Sequence, residues 1–163
     1  MSKHEITLVI NGEPRTAYVD ARLTLVDFIR EECGLTGTHI GCEHGACGAC
    51  TVLLEGVSVR SCLMFACQVG PDQEVVTVEG LQEPNGELTT VQQSFRDEFA
   101  LQCGFCTSGF VVAVTELLRD NDCPDDADVI DALGGNLCRC TGYQGIRRAV
   151  ARATGARSNE ARL

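Results

Sequence analysis

The chain has 163 residues, a formal net charge of −10 and eleven cysteines. This acidity argues against nucleic acid as a partner, because phosphates are bound by clustered lysine and arginine side chains. The length suffices for one domain or two small ones, and no apolar stretch is long enough to span a membrane.

Cysteine usage indicates metal binding in a reducing compartment. Eight of the eleven cysteines fall into two groups of four, and the total is odd. The first residues pass directly into a strand pattern and lack the apolar segment of a signal peptide. We therefore expect a cytoplasmic protein whose grouped cysteines bind metal and do not form disulfides.

The predicted elements begin with a β-hairpin and a short helix. Alternating polar and apolar residues on either side of Asn11-Gly12 predict strands at 5–10 and 15–20. Thr24 is the predicted N-cap of a helix that ends at Gly34, with Asp27 as its capping-box partner. A second hairpin, a helical turn and a closing strand are predicted at 51–54 with 57–61, at 63–69 and at 75–78. These elements form a compact α+β domain.

A glycine-rich loop between this helix and the second hairpin carries three cysteines. They have the spacing C-x4-C-x2-C, and a fourth follows after eleven intervening residues; the four are Cys42, Cys47, Cys50 and Cys62. Plant-type ferredoxins use this spacing to hold a [2Fe–2S] cluster. The glycines between them let the loop fold back and let backbone N–H groups approach the sulfurs. A structural zinc is the alternative, although zinc ligands usually come from two paired knuckles.

The second half of the chain is predicted to be all helical. Thr89 opens a helix with Phe95 and Phe99 on its apolar face, and a second helix covers 107–118. Pro124 at a first-turn position opens the third helix, and Thr141 starts the fourth. The predicted division is a domain at 1–78, a surface linker at 79–88, a four-helix domain at 89–155 and a tail at 156–163.

Four more cysteines precede two of these helices. Cys103 and Cys106 form C-x2-C ahead of the second helix, and Cys138 and Cys140 form C-x-C ahead of the last. Helix starts favour thiolates and anionic clusters, because unpaired N–H groups and the positive end of the helix dipole lie there. A second cluster is therefore predicted, with structural zinc again as the alternative.

Three segments carry a resemblance to a known family. They read Gly-Cys-Glu-His-Gly-Ala-Cys-Gly-Ala-Cys-Thr at 41–51, Gln-Cys-Gly-Phe-Cys-Thr at 102–107 and Gly-Asn-Leu-Cys-Arg-Cys-Thr-Gly-Tyr at 135–143. Together they resemble the small iron–sulfur subunit of the molybdenum hydroxylases, the xanthine oxidase family. The resemblance covers nearly the whole chain. One departure is Ser108, where many relatives have proline, and serine also begins helices well.

This resemblance implies a β-grasp ferredoxin-like domain followed by a four-helix domain, with one [2Fe–2S] cluster in each. It also implies an electron-transfer subunit of a heterotrimer, with a large molybdopterin-binding subunit and an FAD-binding one. Gln102 corresponds to a residue that contacts the pterin. Relatives act on N-heteroaromatics, aldehydes, carbon monoxide or CoA thioesters, and the substrate pocket belongs to the large subunit.

The resemblance further implies electron flow from molybdenum to the helical cluster, then to the ferredoxin-type cluster and on to flavin or another acceptor. The residues agree with this order if the helical cluster is shielded from water by its apolar neighbours, Leu101, Phe105, Phe110 and Leu137. The ferredoxin-type loop, with Glu43 and His44 at its tip, is then expected nearer the surface.

Two other functions remain open at this point. One is a free-standing two-cluster electron shuttle, and the other is a zinc-stabilised binding module. Tyr143 is expected at a surface or interface, and His44 as a polar loop residue. Of the three cysteines outside both sets, Cys33 and Cys67 are expected in the core, and Cys123 at the surface.

Overall fold

The computed structural model describes residues 3–155, so the predicted tail lies outside the described residues. The chain begins with the hairpin of β1 (Lys3–Ile10) and β2 (Glu13–Asp20). Asn11 and Gly12 both take positive φ, 53° and 78°, which is the two-residue turn that matches strand twist. The predicted first hairpin is confirmed.

The strands form one mixed sheet of five. β3 (Thr51–Leu54) and β4 (Val57–Arg60) make the second hairpin, and β5 (Glu74–Val76) lies in the centre. The order is β2-β1-β5-β3-β4, with β5 parallel to β1 and antiparallel to β3. The predicted closing strand is therefore present, but it starts one residue earlier and ends at Val76.

One helix packs across this sheet. The side chain of Thr24 caps α1 (Leu25–Asp27), which continues as a π-helical turn over Phe28–Glu32. The core between helix and sheet contains buried residues from both, and Leu8, Ile10, Leu25, Phe28, Ile29, Val52 and Val75 are among them. A helix across a mixed sheet is the predicted β-grasp, ferredoxin-like arrangement.

The second half contains the four predicted helices: α2 (Thr90–Asp97), α3 (Thr107–Asp120), α4 (Asp126–Gly134) and α5 (Gln144–Ala153). Their core is separate from the first and centres on Phe95, Phe110, Val114 and Ile146. A 3-10 turn at Val78–Leu81 precedes them, and both of its end residues pack against this second core. The architecture is α+β, with a sheet domain followed by a helical one.

Three predictions about these helices were wrong. Phe99 does not lie on the apolar face of α2, since the helix has already ended and φ of 49° turns its ring outward. Pro124 precedes the third helix, whose N-cap is Asp125 because its carboxylate accepts the N–H groups of Ala127 and Asp128. The fourth helix begins only at Gln144, after two left-handed residues. Within residues 3–155, no helix has the length and apolar character needed to cross a membrane.

Candidate metal centres

The first cysteine set converges where the loop after α1 meets the ends of β3 and β4. The backbone N–H of Cys47 donates to Sγ of Cys42 over 3.3 Å. Cys50 and Cys62 lie side by side, because Ser61 donates to the Cys50 carbonyl from both its N–H and its hydroxyl. Their thiols hydrogen-bond to each other and are 2% and 9% exposed. The four predicted ligands are thus brought together as two pairs.

The loop prepares one of these sulfurs to be an anion. Backbone N–H groups of His44, Cys47 and Ala46 donate to Cys42 and lower the pKa of its thiol to about 6. Cys62 is different, since burial raises its pKa to about 11. The N–H groups that donate to Cys42 would also stabilise its thiolate when it binds iron.

The second set converges at the N-terminus of α3. Cys106 is the N-cap of this helix, and its thiol hydrogen-bonds to that of Cys138. The Sγ atoms of Cys103 and Cys140 lie 3.5 Å apart. The residue predicted to start the last helix instead supports this site, because the hydroxyl of Thr141 donates to Sγ of Cys138 over 3.0 Å.

The second set also contains one thiol with a raised pKa and one with a lowered pKa. Burial raises the pKa of Cys106 to about 12. Burial alone would also raise the pKa of Cys138, but the hydroxyl and N–H of Thr141, among other donors, outweigh it and the pKa falls. Each set therefore pairs sulfurs that favour the thiolate with sulfurs that keep their proton until a metal displaces it.

Paired sulfurs fit a cluster that contains two irons. Each set presents two neighbouring pairs: Cys42 with Cys47 and Cys50 with Cys62, then Cys106 with Cys138 and Cys103 with Cys140. Two pairs are the donor arrangement for two irons with two thiolates each. The residues present fit two [2Fe–2S] clusters.

Cluster assembly should become more favourable as pH rises. Cys62 and Cys106, with pKa values of about 11 and 12, are protonated at neutral pH and must each release a proton to bind iron. Below about pH 6 the Cys42 thiol must release one as well, so the pH dependence becomes steeper there. Reconstitution of the iron-free chain between pH 5.5 and 9, followed by absorbance, checks this. Assembly that is independent of pH would contradict it.

The expected shielding of the second set is wrong for this chain. Cys103 and Cys140 are exposed, whereas Cys50 and Cys62 of the first set are buried. Phe110 does lie in the core, but the three other side chains expected to shield the site are exposed at 42–57%: Leu101, Phe105 and Leu137. Sequence alone cannot tell whether apolar residues near a cluster bury it or remain exposed beside it, since both arrangements use the same residues.

The two cysteine loops are in direct contact. The N–H of Leu137, beside Cys138, donates to the carbonyl of Cys47 over 2.9 Å. The ring of Phe105 stacks on His39 with centroids 4.8 Å apart and lies near Gly41 at the start of the first loop. The sites therefore share an interface within one chain.

Three of the remaining predicted residues lie beside the cysteine sets. Gln102 is exposed at the rim of the second set, next to Cys103, and His44 is an exposed loop residue. Tyr143 is only partly exposed: its hydroxyl accepts from Cys138 N–H and donates to the carbonyl of Asn136. Sequence analysis missed this support, although a tyrosine just after C-x-C was a visible signal. Cys67 is exposed and not in the core, where its prediction placed it.

Comparison with known proteins agrees with this geometry. The family model described as 2Fe-2S iron-sulfur cluster binding domain matches residues 8–75. A second one, described as [2Fe-2S] binding domain, matches residues 77–151. The chain thus contains two [2Fe–2S]-binding units, one in each half.

Three relatives are similar over most of this chain. The nicotine 6-hydroxylase small subunit of Paenarthrobacter nicotinovorans is 52% identical over 156 residues, which are 96% of this chain and 93% of that one. The structure of quinoline 2-oxidoreductase from Pseudomonas putida 86 is 45% identical with a TM-score of 0.88, over 98% of this chain and 99% of that one. Aldehyde oxidoreductase from Desulfovibrio gigas is 38% identical with a TM-score of 0.86, over 93% of this chain but 17% of that chain.

These relatives favour the subunit over the free-standing shuttle and over the zinc module. Two of them match this chain nearly end to end, and the first is a small subunit of a hydroxylase. The cysteine pairs, the two cluster-binding family matches and these relatives converge on one conclusion. The chain belongs to the molybdenum hydroxylase (xanthine oxidase) family, as its small electron-transfer subunit with two [2Fe–2S] clusters.

Proposed function

We propose that the two cysteine sets are the cluster ligands and that electrons cross this chain in a fixed direction. They enter at the cluster of Cys103, Cys106, Cys138 and Cys140, pass to that of Cys42, Cys47, Cys50 and Cys62, and leave to a flavin or another acceptor. When bound, each cluster accepts and releases one electron, and the protein supplies the ligands, the hydrogen bonds to sulfur and the docking surfaces.

The observation that supports this direction is an exposed apolar rim around the second set. We define this rim as Leu101, Phe105 and Leu137, which are exposed within two residues of a cysteine of this set, and Phe99, four residues before Cys103 and 84% exposed. Phe99 is also held at φ of 49°, a conformation that costs a non-glycine residue free energy. Exposed apolar side chains beside an exposed cluster ligand indicate a surface that a partner covers.

The partner that fits this rim is the large molybdopterin-binding subunit. In aldehyde oxidoreductase from Desulfovibrio gigas, the part that matches this chain is 17% of a longer polypeptide. The rest of that polypeptide is available to cover the same surface, and a separate subunit would do so here. The cluster at the rim is then the one that receives electrons from the partner.

We propose an N-heteroaromatic compound as the substrate of the complex. The relatives that match nearly end to end are a nicotine 6-hydroxylase subunit and quinoline 2-oxidoreductase, whose names contain N-heteroaromatic compounds. Aldehydes are less favoured, since the aldehyde oxidoreductase is less similar to this chain. The substrate pocket lies on the partner, so this chain's residues do not determine the choice.

A cytoplasmic location completes the proposal. None of the eleven cysteines forms a disulfide, and Cys67 and Cys123, which belong to neither set, are exposed. Exposed free thiols are typical of reducing compartments, where disulfides are rare.

Charge on the rim should disrupt assembly with the large subunit. Leu101→Glu and Leu137→Glu each place a carboxylate where apolar contact is expected, and interface anchors often cost about 2 kcal/mol or more when lost. We expect lower yields of co-purified large subunit, with both clusters retained. Ile130→Glu is the matched control, because Ile130 is 59% exposed but lies on α4, outside the rim. Equal yields from rim and control variants would remove the rim from the interface.

Gln102→Ala should slow reduction of both clusters by substrate. Gln102 is exposed next to Cys103, where it can reach a pterin against this cluster. Reduction by dithionite and both EPR signals should be unchanged, because the side chain is not a ligand. Rapid-mixing spectroscopy of the complex compares the two reductants, with Gln144→Ala, an exposed glutamine on α5, as the control. Substrate reduction at the wild-type rate would take Gln102 out of the electron path.

A further inference from the structure

The two halves of the chain have separate cores and meet along α3, which lies against β3 and β4. At the outer edge of this contact the N–H of Ser58 donates to Glu116, and Arg119 donates to the Gly56 carbonyl. Neither of these bonds involves a cysteine loop. A different pair of side chains joins the cysteine loops themselves.

Asn136 is the first of this pair and is 1% exposed. Its Nδ2 donates to the carbonyl of Gly48 over 3.0 Å. Gly48 follows Cys47 of the first set, and Asn136 lies two residues before Cys138 of the second. A Cβ on Gly48 or on Gly109 would come within 2.6 Å of the Asn136 side chain, so both glycines make room for this amide.

Arg60 is the second, and it also spans both loops. Its Nη1 donates to the hydroxyl of Thr51 over 2.7 Å, and its Nη2 donates to the carbonyl of Gly135 over 2.6 Å. Thr51 follows Cys50, and Arg60 itself lies two residues before Cys62. One guanidinium therefore ties two ligand-bearing segments of the first set to the segment that leads into Cys138 of the second.

Behind these side chains lies an open cleft between the halves, with a volume of about 580 Å³. Arg60, Gly135 and Asn136 line it together with Ser58 and Glu116. A cleft at this point means that side-chain packing contributes less to joining the loops. On this side of the contact the hydrogen bonds of Arg60 and Asn136 contribute correspondingly more to the relative position of the loops, in addition to the Leu137–Cys47 bond and the Phe105–His39 stacking.

We propose that Asn136 and Arg60 are positioning residues that hold the two clusters at a fixed separation and so set the rate of electron exchange between them. The inference rests on the proposed cluster ligands. In the step concerned, one reduced cluster is oxidised by one electron and the other is reduced by it. Tunnelling between such centres slows steeply with distance, and a loosened contact therefore slows it without altering either cluster.

The test uses the assembled complex with both clusters loaded. Asn136→Ala removes the amide donor, and Arg60→Gln removes the charged fork, whereas Arg60→Lys keeps the charge and a donor. EPR at low temperature measures the magnetic coupling between the two reduced clusters, and flash reduction measures the rate of electron exchange between them. Asn85→Ala is the control, because its side chain accepts only from Glu87 N–H within an exposed loop.

We expect both EPR signals at full intensity, with loss of the coupling and slower exchange in Asn136→Ala and Arg60→Gln. Arg60→Lys should recover part of the coupling, and Asn85→Ala should be unchanged. Wild-type coupling and exchange in both test variants would overturn the proposal. Loss of a cluster in both test variants would also overturn the proposal, because Arg60 and Asn136 would then be needed to fold the cluster sites and not to hold them at a fixed separation. A failure of the ligand assignment is distinguishable, because Cys42→Ser or Cys103→Ser would then keep both EPR signals.

Discussion

Cys42→Ser and Cys103→Ser are each expected to remove one of two [2Fe–2S] EPR signals and leave the other. Cys42 belongs to the set near β3 and β4, and Cys103 to the set at the start of α3. A serine hydroxyl is a poor substitute for a thiolate that bridges protein to iron, so the cluster of that half should be lost entirely. The thermal midpoint should also fall, because metal binding contributes directly to the stability of small metal-bound domains.

Two cysteines outside the sets provide controls for this experiment. Cys67 and Cys123 are exposed thiols, and their serine variants should keep both signals and the full iron content. A ligand variant that retained both signals would show that the grouping of the eight cysteines is wrong. Loss of both signals in Cys42→Ser alone would indicate that the halves do not assemble their clusters independently.

Gly109→Ala should be strongly destabilising although it replaces a glycine within a helix. A Cβ at Gly109 would lie 2.2 Å from the carbonyl oxygen of Gly48, a backbone atom that cannot rotate away. Overpacking of this kind typically costs about 1–3 kcal/mol, and a backbone clash should reach the upper end. Helix α3 would have to move away from the loop of the first set. A lowered free energy of unfolding in urea, with both clusters loaded, checks the prediction.

Gly134→Ala is the matched control, since this glycine ends α4 and a Cβ there would meet nothing within 4 Å. Alanine favours helix over glycine by up to about 1 kcal/mol, so this variant should be neutral or stabilising. The difference between the two variants isolates the cost of the contact from helix propensity. Equal stabilities would mean that α3 can shift without cost.

The sequence predicted the elements well where local chemistry determines them. The Asn11-Gly12 turn and the Thr24 cap act within a few residues, and both were found as expected. The start of the last helix was missed because its position depends on Thr141, whose hydroxyl is hydrogen-bonded to Cys138. Threonine often caps a helix, but the Thr141 hydroxyl donates to a sulfur here. This contact exists only once the site is assembled, so the local sequence does not predict it.

The cysteine sets were also predicted from spacing, because few ligand patterns share it. What spacing could not provide was exposure: Leu101, Phe105 and Leu137 were expected to cover the second set, and they are themselves exposed. The contacts of Arg60 and Asn136 were missed too, since each side chain donates to a carbonyl that is distant in sequence. Long-range bonds from a side chain to the backbone leave no periodic pattern in a sequence.

The unequal exposure of the two cysteine sets has a consequence for biogenesis. Cys103 and Cys140 are exposed, and if the large subunit covers them, as proposed, their cluster has to be delivered before the subunits join. Cys50 and Cys62 are buried even in the separate chain, so the other cluster would have to be inserted earlier still, before the loop closes over them. Maturation of the chain would thus proceed in the order opposite to the flow of electrons through it.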